Sequence, residues 1–246
     1  MNLVRHADRQ SHASAGGTDG ASAPLRPARG AEAFAPGCIE PYPLPGEAVA
    51  GLNKVHWPVA TGDAVLLIHD AQLHWVRMFA NASPWLAQIE RLRDASDAAG
   101  IPCIYTTARR PRNAAERGLA LSLWGLGVAS CGDEPGAAEI VEPLRPRPSD
   151  FVIAKNKYSA FFDTELEALL RRLGRRQILL TGVFGHHGVM LTAADAYMRN
   201  LQVLLIADAM ADYSLAEHLQ TVHYVAEVCG CVMTASQAVA GIEGRR

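Results

Sequence analysis

A chain of 246 residues, 49% hydrophobic and 20% charged, can bury a full core and has the size of one large α/β domain. Its formal charge of -2, with scattered basic residues, excludes the phosphate-tracking surface that nucleic acids require. The five cysteines (Cys38, Cys103, Cys131, Cys229, Cys231) form neither a disulfide framework nor a zinc pattern, and no apolar run approaches the roughly 20 residues of a membrane span.

Residues 1–38 are rich in Ala, Gly, Ser, Pro and Arg without a repeating apolar face, so a disordered N-terminal tail is expected there. It has no apolar core of a secretory signal, and a reducing cytoplasm is the expected setting. From 39 to 240 short apolar runs alternate with segments of helical spacing, and a short polar tail is expected over 241–246.

The expected strands are 64–69 (AVLLIH), 101–106 (IPCIYT), 151–154 (FVIA), 177–182 (QILLTG), 202–207 (QVLLIA) and 231–234 (CVMT). Between them, Ser83 reads as an N-cap before Pro84, with Leu86, Ile89 and Leu92 on one face and Gly100 as the stop. Thr164 reads as the cap of a helix carrying Leu166, Leu169, Leu170 and Leu173, and a further helix is expected from about Val189 to Asn200. Ser214 with Glu217 reads as a capping box ahead of the last long helix. The fold class is therefore α/β: a doubly wound, three-layer α/β/α sandwich on a mainly parallel sheet, without internal repeats or a second domain.

In such a sheet, ligands bind beyond the carboxyl ends of the strands. That rule selects His69-Asp70-Ala71-Gln72, the run Lys155 to Ser159, and the loop Gly182 to Gly188. Asp70 emerges from a buried run, where its alternative role is to cap the next segment. Lys155 abuts a buried strand and needs an anion, either Asp70 in a structural ion pair or a bound carboxylate. Glycines in the 182–188 loop allow close backbone approach to an oxyanion. His186 and His187 are adjacent on one loop without an Asp, His or Cys set at ligand spacing, so no metal is expected.

Taken together, HDAQ at 69–72, ERGLALSLWGLG at 116–127, KNKYSAFF at 155–162, TGVFGHHGVMLTAADAYMRN at 181–200 and ADAMADYSLAEH at 207–218 resemble the isochorismatase branch of the cysteine-hydrolase superfamily. The similarity spans about residues 40 to 240, IEPYPLP at 39–45 included, and is closest in pattern to the phenazine-pathway isochorismatases. In the amidohydrolases of that superfamily the nucleophilic cysteine stands at the position of Gly188. With glycine there, the resemblance implies vinyl-ether hydrolysis without a covalent intermediate: isochorismate or 2-amino-2-deoxyisochorismate would give a dihydro-aromatic acid and pyruvate.

The resemblance further implies Asp70 as general acid and Lys155 as its partner on the substrate carboxylate, with Gly188 completing the catalytic set. It implies substrate contacts from Gln72, Arg117, Trp124, Tyr158, Phe184 and His186, without cofactor or metal. The expected partners are a small anionic substrate and a second copy of the chain in a homodimer. Ala71, Ala108, Lys157, Leu126, Phe184, Gly185 and His187 depart from the usual family residues, and Ala108 removes a polar contact where glutamine is usual. Two alternatives follow: a related hydrolase with a non-chorismate substrate, and a silent binding protein, against which the retained Asp70 and Lys155 argue. No carrier-protein domain follows the hydrolase pattern, so a free-standing hydrolase is expected.

Overall fold

Six apolar runs become six parallel strands, as burial on both faces requires. The computed structural model describes residues 35–128 and 136–244. The strands are β1 (Ala64–His69), β2 (Cys103–Ala108), β3 (Phe151–Lys155), β4 (Gln177–Gly182), β5 (Gln202–Met210) and β6 (Cys231–Met233). They form one sheet in the order β3-β2-β1-β4-β5-β6. The chain builds outward from β1 to β3, returns to place β4 beside β1, and builds outward again. The direction of winding thus reverses between β1 and β4, which opens a crevice at their carboxyl ends.

The helices are α1 (Leu73–Val76), α2 (Ser83–Ala98), α3 (Ala114–Arg117), α4 (Ala120–Trp124), α5 (Leu166–Leu173), α6 (Met190–Met198), α7 (Leu215–Tyr224) and α8 (Ala235–Ile242). Side chains alternate across each strand, so Leu66 and Ile68 join the core under α2 and α8 while Val65 and Leu67 join the core under α5, α6 and α7. On one side Trp85, Ile89 and Leu92 of α2 meet Val239 and Ile242 of α8; on the other Leu166, Leu169 and Leu170 of α5 share a core with Ala193 and Ala196 of α6. No described helix is long and apolar enough to cross a membrane.

Several element ends differ from the sequence reading. Strand β2 starts at Cys103, because Pro102 has no N–H to give; its carbonyl instead accepts from the Leu66 N–H at 2.9 Å. That shift carries β2 on to Ala108 and places Thr106 opposite His69. Strand β5 continues to Met210, and β6 ends at Met233 because Thr234 is the N-cap of α8. There Thr234 and Gln237 form a full capping box.

At Ser214 only half of such a box forms: its Oγ accepts from the Glu217 N–H, while the Glu217 carboxylate meets the same hydroxyl. The cap of α2 is Ala82 rather than Ser83, and that of α5 is Glu165, with Thr164 Oγ1 accepting from the Leu166 N–H at 3.3 Å. The helix expected from Val189 begins as α6 at Met190, after a π-helical turn over Gly185–Val189. Of the tail expected over 1–38, residues 1–34 lie outside the described residues, whereas Gly37 donates to the Arg77 carbonyl at 2.8 Å. At the other end α8 runs through the buried Ile242, beyond the start of the expected tail.

Candidate active site

The acid sits at the crevice because β1 ends there. Asp70 follows six fully buried residues and turns the chain with φ of 47°, a left-handed conformation that aspartate adopts more readily than most residues. Its N–H donates to the Thr106 carbonyl at 3.1 Å. Both carboxylate oxygens are taken: Thr106 Oγ1 donates to Oδ1 at 2.8 Å, and Lys155 Nζ donates to Oδ2 at 2.7 Å. The capping role is excluded, since Gln72 stands at the N-cap of α1.

Lys155 ends β3, two strands away from β1, and reaches Asp70 past Thr106 of β2. It is only 4% exposed, and its ammonium also donates to the Lys157 carbonyl at 3.1 Å. Burial pushes the Asp70 carboxyl up, but the charge of Lys155, with smaller help from His69 and the hydrogen bonds of Lys155 and Thr106, outweighs it. The net direction is downward, so the unliganded site holds an aspartate–ammonium pair.

Above the pair lies a cavity of about 210 Å³. Its polar lining includes the cations Arg109, Arg117, Lys155 and Lys157 and the carboxylates Asp70 and Glu116, so positive charge is in excess. Arg117 leaves α3 and lies over the following turn: its Nε donates to the Gly125 carbonyl at 2.8 Å, and any side chain at Gly127 would collide with the guanidinium. Burial lowers the Arg117 pKa.

The apolar wall is aromatic. Tyr158 stacks on His187 with ring centroids 5.2 Å apart, and Phe184 stacks on Tyr213 at 4.4 Å. Trp124 Nε1 donates to the Tyr158 hydroxyl, which fastens α4 over the loop after β3. Trp75 stands edge-on to Phe184.

Asp70, Lys155, Gly188, Arg117, Trp124, Tyr158 and Phe184 therefore line one cavity. Two expected substrate contacts lie elsewhere. Gln72 is buried and spent on the backbone, its amide bonding both the N–H and the carbonyl of Ala108 and the carbonyl of Ala138. His186 faces Asp212, with Nδ1 2.7 Å from Oδ1 and its own N–H donating to Oδ2 at 2.6 Å. His186, Asp212 and Glu217 offer ligand atoms within 4.8 Å of one another, but Asp212 is already engaged by His186 and the Tyr213 N–H, and Glu217 by Ser214. The trio reads as a brace between the loop after β4 and the start of α7.

The sequence reading places His69 at the crevice and His187 among the departures from family pattern without giving either a role, and it passes over Thr106. Thr106 stood at the end of an expected strand without a sign that its hydroxyl turns to the acid.

The isochorismatase domain model matches residues 64–237. The chain belongs to the isochorismatase family. It is 35% identical over 203 residues to the phenazine biosynthesis protein PhzD of Pseudomonas fluorescens, covering 82% of this chain and 97% of that protein. It is 37% identical over 199 residues to enterobactin synthase component B of Escherichia coli K12, covering 79% and 69% respectively. Among solved structures, a cysteine hydrolase from Pseudomonas syringae pv. phaseolicola 1448A shares the fold, with a TM-score of 0.70 at 21% identity over 77% of this chain and 97% of that one. Gly188, in the π-helical turn Gly185–Val189, presents backbone alone to the cavity.

Proposed function

We propose that this family member hydrolyses the enolpyruvyl vinyl ether of isochorismate or 2-amino-2-deoxyisochorismate, with Asp70 as the proton donor and no covalent intermediate. The carrying observation is the Asp70 carboxylate on the cavity floor, bound by Thr106 and Lys155, beside a residue 188 that has no side chain. The relatives PhzD and enterobactin synthase component B, matched over about four fifths of this chain, support the same reading.

The excess of cationic groups suits a substrate with two carboxylates. Arg117 and Lys155 are the residues we assign to them, with the aromatic wall of Trp124, Tyr158 and Phe184 against the ring. Entry of this negative charge raises the proton affinity of Asp70, which turns the resting aspartate into the acid that the reaction needs. Asp70 then delivers its proton to the methylene carbon of the enolpyruvyl group. The resulting oxocarbenium ion takes up water at the ether-bearing carbon, and the hemiketal collapses to pyruvate and the ring alcohol, returning a proton. A thioester route would need a thiolate at the loop, and residue 188 supplies none.

The setting we assign is a reducing cytoplasm, supported by the free thiols of Cys103, Cys229 and Cys231. A homodimer is supported by Leu191 and Met198, exposed apolar residues seven apart on α6. Incubation with isochorismate and, separately, 2-amino-2-deoxyisochorismate, with released pyruvate coupled to lactate dehydrogenase, tests the activity: steady NADH loss with either supports it, and none with both at millimolar concentration refutes it.

A further inference from the structure

Gly188 lacks a side chain because the space is already filled. A Cβ placed there would lie 2.0 Å from Cε1 of His69, 2.6 Å from Nε2 and 2.9 Å from Nδ1. The occupant is the imidazole of the last residue of β1, which is 1% exposed. A second glycine makes room for the backbone of the same residue: at Gly182, with φ of 103°, a Cβ would lie 2.2 Å from the His69 carbonyl oxygen and 2.6 Å from its nitrogen. The two glycines that bracket the loop after β4 together form the seat of one histidine.

The ring cannot step aside cheaply. Nδ1 lies 2.9 Å from the Val183 carbonyl and Nε2 lies 3.1 Å from the Tyr158 carbonyl, so the ring is flanked by the loop after β4 and the loop after β3, and a neutral imidazole donates to one of the two carbonyls. Burial lowers the pKa of the imidazole to about 4, leaving it neutral at physiological pH with a single N–H between two acceptors. The neighbouring groups are Asp70, whose Oδ2 is 3.6 Å from Nδ1, and Lys155.

We infer that His69 is a positioning residue for the acid: its imidazole takes the place of a side chain at 188 and packs between the loops after β3 and β4, donating to a carbonyl of one of them, beside the strand end that carries Asp70. Tyr158, whose carbonyl lies 3.1 Å from His69 Nε2, is three residues from Lys155, and Asp70 adjoins His69 itself. Imidazole at 69 and a nucleophile at 188 are then mutually exclusive, because one volume cannot hold both. This inference rests on the proposed reaction for its kinetic half and on geometry alone for its steric half.

A double-mutant cycle separates the two. Gly188→Ala adds only the Cβ; with His69 present it should lower Tm by more than about 5 °C, a large shift for a chain of this size. In a His69→Ala background the same change should move Tm by less than about 2 °C. Equal losses in both backgrounds would overturn the shared seat.

For positioning, kcat and KM are measured for isochorismate across pH with the purified full-length protein. His69→Ala should lower kcat at least about tenfold while KM stays within about threefold, and should displace the alkaline limb of the kcat profile, since water then reaches Asp70. His69→Asn, which keeps one N–H donor, should recover part of the loss and covers the case in which the alanine variant fails to fold. Unchanged kcat and pH profile in either variant would overturn the positioning role. Wild-type protein that releases no pyruvate would overturn the proposed reaction instead, and the melting cycle would still decide the shared seat.

Discussion

Lys155 grips Asp70 by one oxygen only: Nζ lies 2.7 Å from Oδ2, while Oδ1 belongs to Thr106. The lysine comes from β3 and the acid from β1, so the contact exists only because β2 lies between them and places Thr106 opposite His69. This buried pair sets both the charge of the resting site and the way a substrate must alter it.

Lys155→Met should leave the carboxylate without its strongest partner. Losing one member of a buried pair costs about 3–5 kcal/mol, and the Asp70 pKa should rise. With the lysine also serving the substrate carboxylate, KM should rise and kcat should fall together. Steady-state kinetics beside thermal melts check this; a lower Tm with unchanged KM would reduce Lys155 to a structural ion pair.

The resting ionisation of Asp70 has a kinetic signature. A general acid works only when protonated, so the rate falls as pH rises through its pKa. In the free protein that pKa is lowered, whereas bound anionic substrate raises it. The alkaline limb of kcat, which reports the complex, should therefore lie at least one pH unit above that of kcat/KM. Coincident limbs would show that substrate does not tune the acid.

Stability should also depend on pH through two buried histidines. His69 and His218 both have pKa values lowered from 6.5 to about 4, chiefly by burial. The unfolded chain takes up their protons as pH falls through 6.5, while the folded chain resists until about 4. Their contribution is thus fully present above 6.5 and disappears across that window, by roughly 3 kcal/mol for each histidine. Urea midpoints measured from pH 7 to 4 should fall steadily, and His218→Gln should remove about half of the slope; a flat profile would contradict the buried neutral rings.

Among the departures from family pattern, His187 lines the cavity with Ala108, Lys157 and Phe184, and it stacks on Tyr158. His187→Ile removes one aromatic contact worth about 0.5–1.5 kcal/mol, so KM should rise roughly two- to tenfold with kcat little changed. A large kcat loss would instead place the imidazole in the proton-transfer step.

Most of the sheet was legible because fully buried strands announce themselves as unbroken apolar runs, and Asp70, Lys155 and the 182–188 loop followed from where those runs end. Element ends were less legible. Thr234 reads equally well as a strand residue or a cap, and only the reach of Gln237 back to its N–H settles the matter. Gln72 and His186 show the remaining gap: a polar residue near a crevice is equally able to serve the backbone, and sequence spacing does not tell which way its side chain turns. His69 was hidden for a related reason, since its role depends on a glycine that lies more than a hundred residues away in the chain.

The most direct test of Asp70 as a proton donor to carbon is hydrolysis of isochorismate in deuterium oxide, with the pyruvate analysed by mass spectrometry and NMR. The expected product carries one solvent deuterium in its methyl group per turnover, and Asp70→Asn should slow its formation by about 10²–10⁴-fold while leaving the fold intact. Pyruvate formed without solvent deuterium, or an Asp70→Asn variant that keeps most of the wild-type kcat, would contradict it.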